Sequence, residues 1–310
     1  MPLAGLCASH TPLKDRFDPG AGVRQEVEDC LAEVRQWVAD FAPELVVMFG
    51  PDHFNGFFYR LMPPFCIGAV ADSLGDWDTP AGRLPVATEV VEELVPALHQ
   101  AGIDVALSYR MEVDHGLAQG LQLLFPWDEL PPVIPVFINC AAPPRPPMAR
   151  VVTLGAAMGR FLAARAERVL IIGSGGLSHD PPMPLLAQAS GALRERLIGG
   201  GTLSPEARAE REKRVTEEGV RQRAGESSAI ALNPDWDRAL MRHLQQGDFA
   251  SIAAMRDADI SRDGGCGGHE IRSWVATAAS MGTRGPAQAK VRYYRAIPEW
   301  VAGFGVMTFE

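Results

Sequence analysis

Short apolar runs alternate with longer stretches of helical period along the first half of the chain. Apolar runs rich in β-branched residues predict strands, and apolar residues spaced three and four apart predict helices between them. The predicted strands are 3–7, 45–49, 65–70, 103–108, 133–138 and 169–172, and the predicted helices are 23–41, 86–101 and 148–166. This order predicts an α/β fold with a central mixed or largely parallel sheet flanked by helices.

The second half of the chain is predicted to be rich in helix. Its helices are predicted at 185–198, 205–224, 236–246 and 271–280, with one late strand at 291–296. No repeat and no long polar linker interrupts the pattern, so we expect a single domain over residues 1–310. The stretch from Glu206 to Arg223 mixes both signs of charge, which favours a solvated helix, with a lid over a site as the alternative.

Composition narrows the class of protein. Of 310 residues, 47% are hydrophobic and 22% charged, which is typical of a globular chain. The net charge of −9 gives no support to a general nucleic-acid or anionic-membrane surface, so an anionic small substrate would need a local basic pocket. Neither a basic leader nor an apolar run of about 18–20 residues is present, and the five cysteines form no closely spaced pair. These features predict a cytoplasmic protein with free thiols.

Four of the seven histidines lie just past a predicted strand. They are His10, His53, His115 and His179. Ligands bind at the carboxyl ends of strands in open α/β sheets, so these four side chains are predicted to meet in one crevice, where a metal would explain their convergence. His99 and His243 lie within helical patterns and are interpreted as exposed helix positions.

A metal site of this kind also needs a carboxylate, and Glu270 is the candidate. It follows the glycine-rich segment 264–268, which can bring the backbone close to a ligand before a helix begins. The alternative is that Glu270 only stabilises a helix N-terminus. Two histidines and one carboxylate on one face of a metal are typical of non-haem Fe(II) oxygen chemistry.

The remaining motifs say less about function. Asp52 and Asp114 each precede a candidate histidine and can orient an imidazole, or can be exposed acids beside a turn. The segment 173–178 lacks the last glycine of a dinucleotide fingerprint and the first glycine of a nucleophile elbow.

Taken together, the motifs resemble those of the class III extradiol ring-cleavage dioxygenases. The segments are 9–13 (SHTPL), 51–59 (PDHFNGFFY), 62–66 (MPPFC), 113–116 (VDHG), 173–179 (GSGGLSH), 269–271 (HEI) and 293–305 (YYRAIPEWVAGFG). The resemblance implies that His10, His53 and Glu270 hold Fe(2+), and that His115 and His179 act as an acid and base pair. It further implies O2 and a catechol with a propionate or cinnamate side chain as substrates, in a homo-oligomer.

The sequence also allows two other functional hypotheses. One is a non-catalytic binding protein on the same fold, and the other is a zinc hydrolase that uses the same ligands, because nitrogen and oxygen donors suit both metals. Segments 141–147 and 200–228 match the family least. An arginine is expected for the carboxylate of the substrate, but the sequence does not single one out among 29 basic residues.

Overall fold

The computed structural model describes residues 3–20, 22–283 and 287–310. The strands are β1 (Leu3–Ala8), β2 (Leu45–Gly50), β3 (Phe65–Gly68), β4 (Ala71–Leu74), β5 (Ala81–Arg83), β6 (Ala106–Ser108), β7 (Met111–Val113), β8 (Val133–Ile138), β9 (Val169–Ser174), β10 (Ala289–Ile297) and β11 (Ala302–Phe309). The helices are α1 (Val23–Phe41), α2 (Thr88–Gln100), α3 (His115–Gln122), α4 (Met148–Ala163), α5 (Gly191–Gly199), α6 (Pro205–Ala224), α7 (Pro234–Gln246), α8 (Phe249–Ala253), α9 (Asp257–Gly264) and α10 (Ile271–Met281). Short 3₁₀ turns lie at Asp76–Asp78, Trp127–Glu129, Gly267–Glu270 and Pro298–Trp300.

The main sheet is mixed, with a parallel centre. Its order is β10-β11-β1-β9-β2-β8-β3-β6, and β4, β5 and β7 form a separate small sheet. β1, β9, β2 and β8 run parallel to one another, whereas β11 pairs antiparallel with β1 and β3 pairs antiparallel with β8. The predicted mixed α/β sheet is confirmed. The carboxyl ends of β1, β9 and β2 therefore lie side by side at one edge.

The central strands are buried on both faces. In β2, Leu45, Val47 and Phe49 belong to one hydrophobic cluster, and Val46 and Met48 belong to the other. This alternation follows from the two-residue period of a strand. Helices α4 and α10 cover the first face, and α1 and α3 cover the second. Buried parallel strands with helices on both sides provide a rigid base for the loops that follow them.

Several predicted boundaries are corrected by the structure. The strand predicted at 103–108 is reduced to Ala106–Ser108, and the helix predicted at 185–198 is reduced to Gly191–Gly199. A continuous helix is ruled out there because Gly191 has a φ of 53°, in the left-handed region. Strand β11 was not predicted, although it pairs with β1 in the sheet.

The cysteines agree with the expectation of free thiols. All five cysteines are free thiols, and four of them are buried. Within the described ranges, no helix is both long enough and apolar enough to cross a bilayer.

Candidate active site

His10 and His53 follow the carboxyl ends of β1 and β2, the two strands that flank β9. Both side chains are buried, and their ring centroids are 5.7 Å apart. Buried Glu270 contacts both: its Oε1 lies 3.1 Å from Nε2 of His53, and its Oε2 lies 3.6 Å from Nε2 of His10. The structure therefore brings together the three residues that were predicted as metal ligands.

The other ring nitrogen of each histidine has its own partner. Nδ1 of His10 lies 2.9 Å from Oγ of Ser174, the last residue of β9. Nδ1 of His53 lies 3.1 Å from Oδ2 of Asp114, to which it donates when protonated. Contacts of this kind fix the ring orientation and the tautomer, and they leave Nε2 free to bind a metal.

The segment Asp114-His115-Gly116 begins α3 and contacts His53. Asp114 caps α3 by accepting a hydrogen bond from the Gly116 N–H at 2.9 Å, and it also accepts from the His53 N–H at 2.8 Å. A Cβ at position 116 would lie 2.8 Å from Cε1 of His53, so only glycine lets α3 approach this closely. Asp114 is therefore buried and orients an imidazole, which decides between the two interpretations of this acid.

Glu270 is held by two glycine-rich segments. The Gly176 N–H after β9 donates to Oε2 of Glu270 at 2.7 Å. The Gly267 N–H donates to the His179 carbonyl at 3.0 Å, which ties the segment before Glu270 to the segment after β9. The predicted close approach of the glycine-rich loop is confirmed, and the carboxylate turns towards the histidines at the start of α10.

Side-chain hydrogen bonds hold His269, the residue before Glu270. His269 is fully buried, with its Nε2 2.7 Å from Oγ of Ser261 and its Nδ1 accepting from Arg272 at 2.8 Å. Burial, reinforced by the charges of Arg145 and Arg272, lowers the pKa of His269 to about 2. His269 is therefore neutral and supports the backbone beside Glu270.

His115 lies beside the metal-ligand candidates and is paired with an acid. Its Nδ1 donates to Oδ2 of Asp76 at 2.6 Å, and its backbone N–H donates to Oδ1 of the same residue at 2.8 Å. Its ring stacks on that of His53, with centroids 4.4 Å apart. Asp76, Asp114 and His115 also offer ligand atoms within 4.8 Å of one another, but both carboxylates already accept hydrogen bonds from N–H groups. Hydrogen bonding accounts for that cluster without a metal.

His179 lies in the loop after β9, and its ring contacts Glu270. Its Nδ1 donates to the Leu177 carbonyl at 2.9 Å, and its Nε2 lies 3.3 Å from Oε1 of Glu270. A carbonyl can only accept, so the proton stays on Nδ1 in the neutral ring and Nε2 faces the site. All five predicted site residues are therefore neighbours, whereas His99 and His243 lie elsewhere and bond to Val105 and Asp248.

Burial and the charges inside the cluster set its protonation states. Burial lowers the pKa of His10 to about 3, against the attraction of Glu270. Burial also lowers the pKa of His53, but the carboxylates of Asp114 and Glu270 outweigh it and raise that pKa well above its usual value. Burial raises the pKa of Glu270, but attraction to the surrounding imidazoles and the hydrogen bonds of His179 and His53 outweigh it and hold that pKa well below its usual range. Glu270 is ionised and His10 is neutral, the forms that bind a metal, whereas His53 has to release a proton when a metal binds.

The residues present fit a divalent metal. Ring nitrogens of His10, His53 and His115 lie within 4.8 Å of one another, all buried, and Glu270 adds a carboxylate to the first two. Nitrogen donors together with an oxygen donor suit first-row metals, and two histidines with one carboxylate is the set associated with non-haem Fe(II).

A cavity opens in front of this cluster. It encloses about 620 Å³, open solvent at its mouth included. Its apolar walls are formed by Leu13, Trp77, Met183, Val215 and Trp300. An aromatic ring can therefore lie between apolar side chains with its polar edge towards the histidines.

Helix α6 forms part of the cavity wall. Arg211 and Val215 line the cavity, and Gly219 packs so closely on the turn Pro298–Trp300 that a Cβ would lie 2.6 Å from the Glu299 carbonyl oxygen. The prediction of a solvated helix holds for the opposite side of α6, whose side chains are exposed, but it is wrong for the side that faces the cavity.

The profile of a protein family described as "Catalytic LigB subunit of aromatic ring-opening dioxygenase" matches residues 4–305. This chain belongs to the LigB family. The predicted family of ring-opening dioxygenases is thereby confirmed, and the chain is an enzyme that opens an aromatic ring.

Curated relatives of this LigB-family chain share its full length. A protein of Cupriavidus pinatubonensis named "2,3-dihydroxyphenylpropionate/2,3-dihydroxicinnamic acid 1,2-dioxygenase" is 49% identical over 310 residues, covering 100% of this chain and 99% of the relative. Proteins with the same name from Klebsiella pneumoniae and Mycolicibacterium smegmatis are 48% and 45% identical, covering 97% and 99% of this chain and 96% and 98% of the relatives. A crystal structure of the uncharacterised protein JW3007 from Escherichia coli K12 has a TM-score of 0.53 and 16% identity, with 98% of each chain covered, which shows a shared fold.

Three residues of this LigB-family site were missed from the sequence. Asp76 and Trp77 lie in a turn between two strands of the small sheet, and Arg211 lies on the charged helix. An acid in a glycine-containing turn and an arginine in a charged helix are common in any sequence, so neither carried a specific signal. Asp52, by contrast, forms no hydrogen bond with an imidazole of the described residues: its carboxylate accepts from the N–H groups of residues 55–57 and shapes the loop after His53.

Proposed function

We propose that this enzyme is an Fe(2+)-dependent extradiol dioxygenase that opens the ring of 3-(2,3-dihydroxyphenyl)propionate and 2,3-dihydroxycinnamate beside the two hydroxyls, with O2. The names of the full-length relatives support this substrate class. The observation that carries the proposal is the convergence of the Nε2 atoms of His53, His179 and His10 on the carboxylate of Glu270, at 3.1, 3.3 and 3.6 Å, beside a largely apolar cavity.

In this proposal His10, His53 and Glu270 hold the iron. Ser174 and Asp114 hold the outer nitrogens of the two histidines, so both rings present Nε2. Glu270 supplies the negative charge that a buried dication needs, which favours it over His115 as the third ligand. When bound, the ion supplies a Lewis acid for two adjacent phenolic oxygens and a redox centre for O2.

His179 takes the role of base. A phenol has a pKa of about 10, so a catechol must lose a proton to bind as an anion at neutral pH. Nδ1 of His179 is occupied by the Leu177 carbonyl, which leaves the lone pair of Nε2 towards the cavity. A catechol hydroxyl placed at the inner end of the cavity can transfer its proton to that atom.

His115 takes the role of acid. The carboxylate of Asp76 accepts from Nδ1 and fixes the ring, and in this role Nε2 of His115 delivers a proton within the cavity. Proton transfer of this kind contributes about 10²- to 10⁴-fold in rate. Walls such as Trp77 and Trp300 keep bulk water away from the reacting ring.

The test is anaerobic reconstitution with Fe(II), followed by addition of O2 and 2,3-dihydroxyphenylpropionate. We expect O2 uptake in proportion to a yellow ring-opened product, and the same protein loaded with Zn(II) serves as the control for a hydrolase. Iron bound without O2 uptake or colour would defeat the proposal, and turnover of an ester by the zinc form alone would favour the hydrolase.

A further inference from the structure

Arg211 of α6 is set apart from the other residues of the cavity by its charge. In the part of the chain that the structure describes, it is the only lysine or arginine that lines the cavity. The only acid in that lining is Glu270, which is turned towards the histidines. The net charge of the chain is −9, so an anionic substrate needs such a local cation.

The guanidinium of Arg211 is positioned but not neutralised. Its Nη2 donates to the His53 carbonyl at 2.7 Å, and its Nη1 donates to Oδ1 of Asn55 at 3.1 Å. Among the described residues it forms no ion pair with an aspartate or glutamate. A guanidinium carries five N–H groups, so donors remain after these two bonds. The side chain is therefore oriented by neutral acceptors, and its charge has no protein partner.

A second guanidinium lies close to the first. Nη2 of Arg196, on α5, donates to the Phe54 carbonyl at 2.8 Å, one residue along from the carbonyl that Arg211 contacts. Burial, and then repulsion from Arg211, lowers the pKa of Arg196. The carboxylate of Asp52, at the start of the same loop, offsets part of this repulsion, and an anion in the cavity would offset more of it.

Arg211 lines the cavity from a different element than the metal-ligand candidates. His10 and His53 follow strands of the main sheet, whereas α6 forms part of the cavity wall together with apolar residues such as Val215 and Leu13. A catechol with its hydroxyls towards the histidines would direct a side chain at ring position 3 along this wall. A carboxylate accepts a bidentate pair of hydrogen bonds from arginine, a geometry that lysine does not reproduce.

We propose that Arg211 binds the side-chain carboxylate of the catechol and that α6 thereby selects carboxylated over uncharged catechols. This inference rests on the proposed function and adds to it the residue that decides which 3-substituted catechol is preferred. Arg211 is a specificity residue in this assignment, since it contacts the substrate away from the reacting carbons.

The test compares two substrates of similar shape, 2,3-dihydroxyphenylpropionate and 3-propylcatechol, in the iron-loaded enzyme. We expect Arg211→Gln to lower the ratio of kcat/KM for the acid over that for the uncharged catechol by about 10- to 100-fold, as expected for a lost charge-assisted hydrogen bond. The change should lie mainly in KM, and Arg211→Lys should fall between the two. Arg214→Gln is the matched control, because it removes the same charge from an exposed position on the same helix.

The outcomes separate this inference from the proposed function. An unchanged ratio in Arg211→Gln, or an equal loss for both substrates, would overturn the inference and leave the function in place. If the wild-type enzyme opened neither catechol, the proposed function would fall. Anaerobic binding of both catechols, followed by quenching of tryptophan fluorescence from the cavity, would still measure the selectivity of Arg211 directly.

Discussion

The two sides of the cavity are built in opposite ways. The sheet side carries His10 and His53 directly after strands that are buried on both faces, and each outer ring nitrogen has a partner. The helical side is α6, which buries only Glu218 and Gly219 and otherwise carries partly or fully exposed residues. The comparison suggests that the chemistry is placed on the rigid side and substrate selection on the side whose sequence can vary without disturbing the core.

Loss of a metal ligand should have the largest effect. We expect Glu270→Gln to abolish iron retention and turnover, because the buried dication would lose its only carboxylate ligand. Iron content after Fe(II) loading and desalting is the measurement, with the exposed Glu217→Gln on α6 as control. Full iron content in Glu270→Gln would show that His115 completes the ligand set instead.

Loss of the acid or the base should have the second largest effect. His115→Ala and His179→Ala are expected to retain iron while kcat falls by about 10²- to 10⁴-fold, since each removes one proton transfer. The exposed His99→Ala is the control and should behave as wild type. If either site variant also lost its iron, that histidine would have to be reassigned as a ligand.

Substitutions of the two aspartates on the sheet side should have different effects. Asp114→Asn is expected to weaken iron affinity by about 10- to 100-fold, because Asp114 orients the ligand candidate His53. Asp76→Asn is expected to leave iron affinity unchanged and to lower kcat by about 10- to 100-fold, because Asp76 orients the ring of His115. Iron titrations and the pH profile of kcat, measured on both variants, distinguish these effects. A loss of iron affinity in Asp76→Asn alone would reverse the two roles.

The smallest effects are expected on α6. In Gly219→Ala the new Cβ would meet the Glu299 carbonyl oxygen at 2.6 Å, so the helix must move away from the turn. We expect the free energy of unfolding to fall by about 1–3 kcal/mol and KM to rise with little change in iron content. Lys213→Ala, on the exposed side, should stay within about 0.5 kcal/mol of wild type. An unchanged KM in Gly219→Ala would show that the placement of α6 does not control binding.

Local pattern was sufficient for the central strands and most of the helices. The apolar runs at β2 and β9 and the spacing of α1 are dictated by neighbours in sequence, so they were predictable within a few residues. Strand β11 was missed although it is buried along its whole length, since its glycines weaken the strand pattern. The break at Gly191 depends on a backbone angle that periodicity does not report.

The sequence by itself determined the α/β class, the family resemblance and the five candidate site residues, because apolar periodicity and histidines after strands are properties of the chain alone. Only the tertiary structure decided which acid serves which histidine, since Asp114 contacts His53 and Asp76, from 39 positions earlier in the chain, contacts His115. Only the tertiary structure singled out Arg211, because it faces the cavity only once α6 packs across it. Such partnerships arise from packing between distant segments, and no local pattern encodes them.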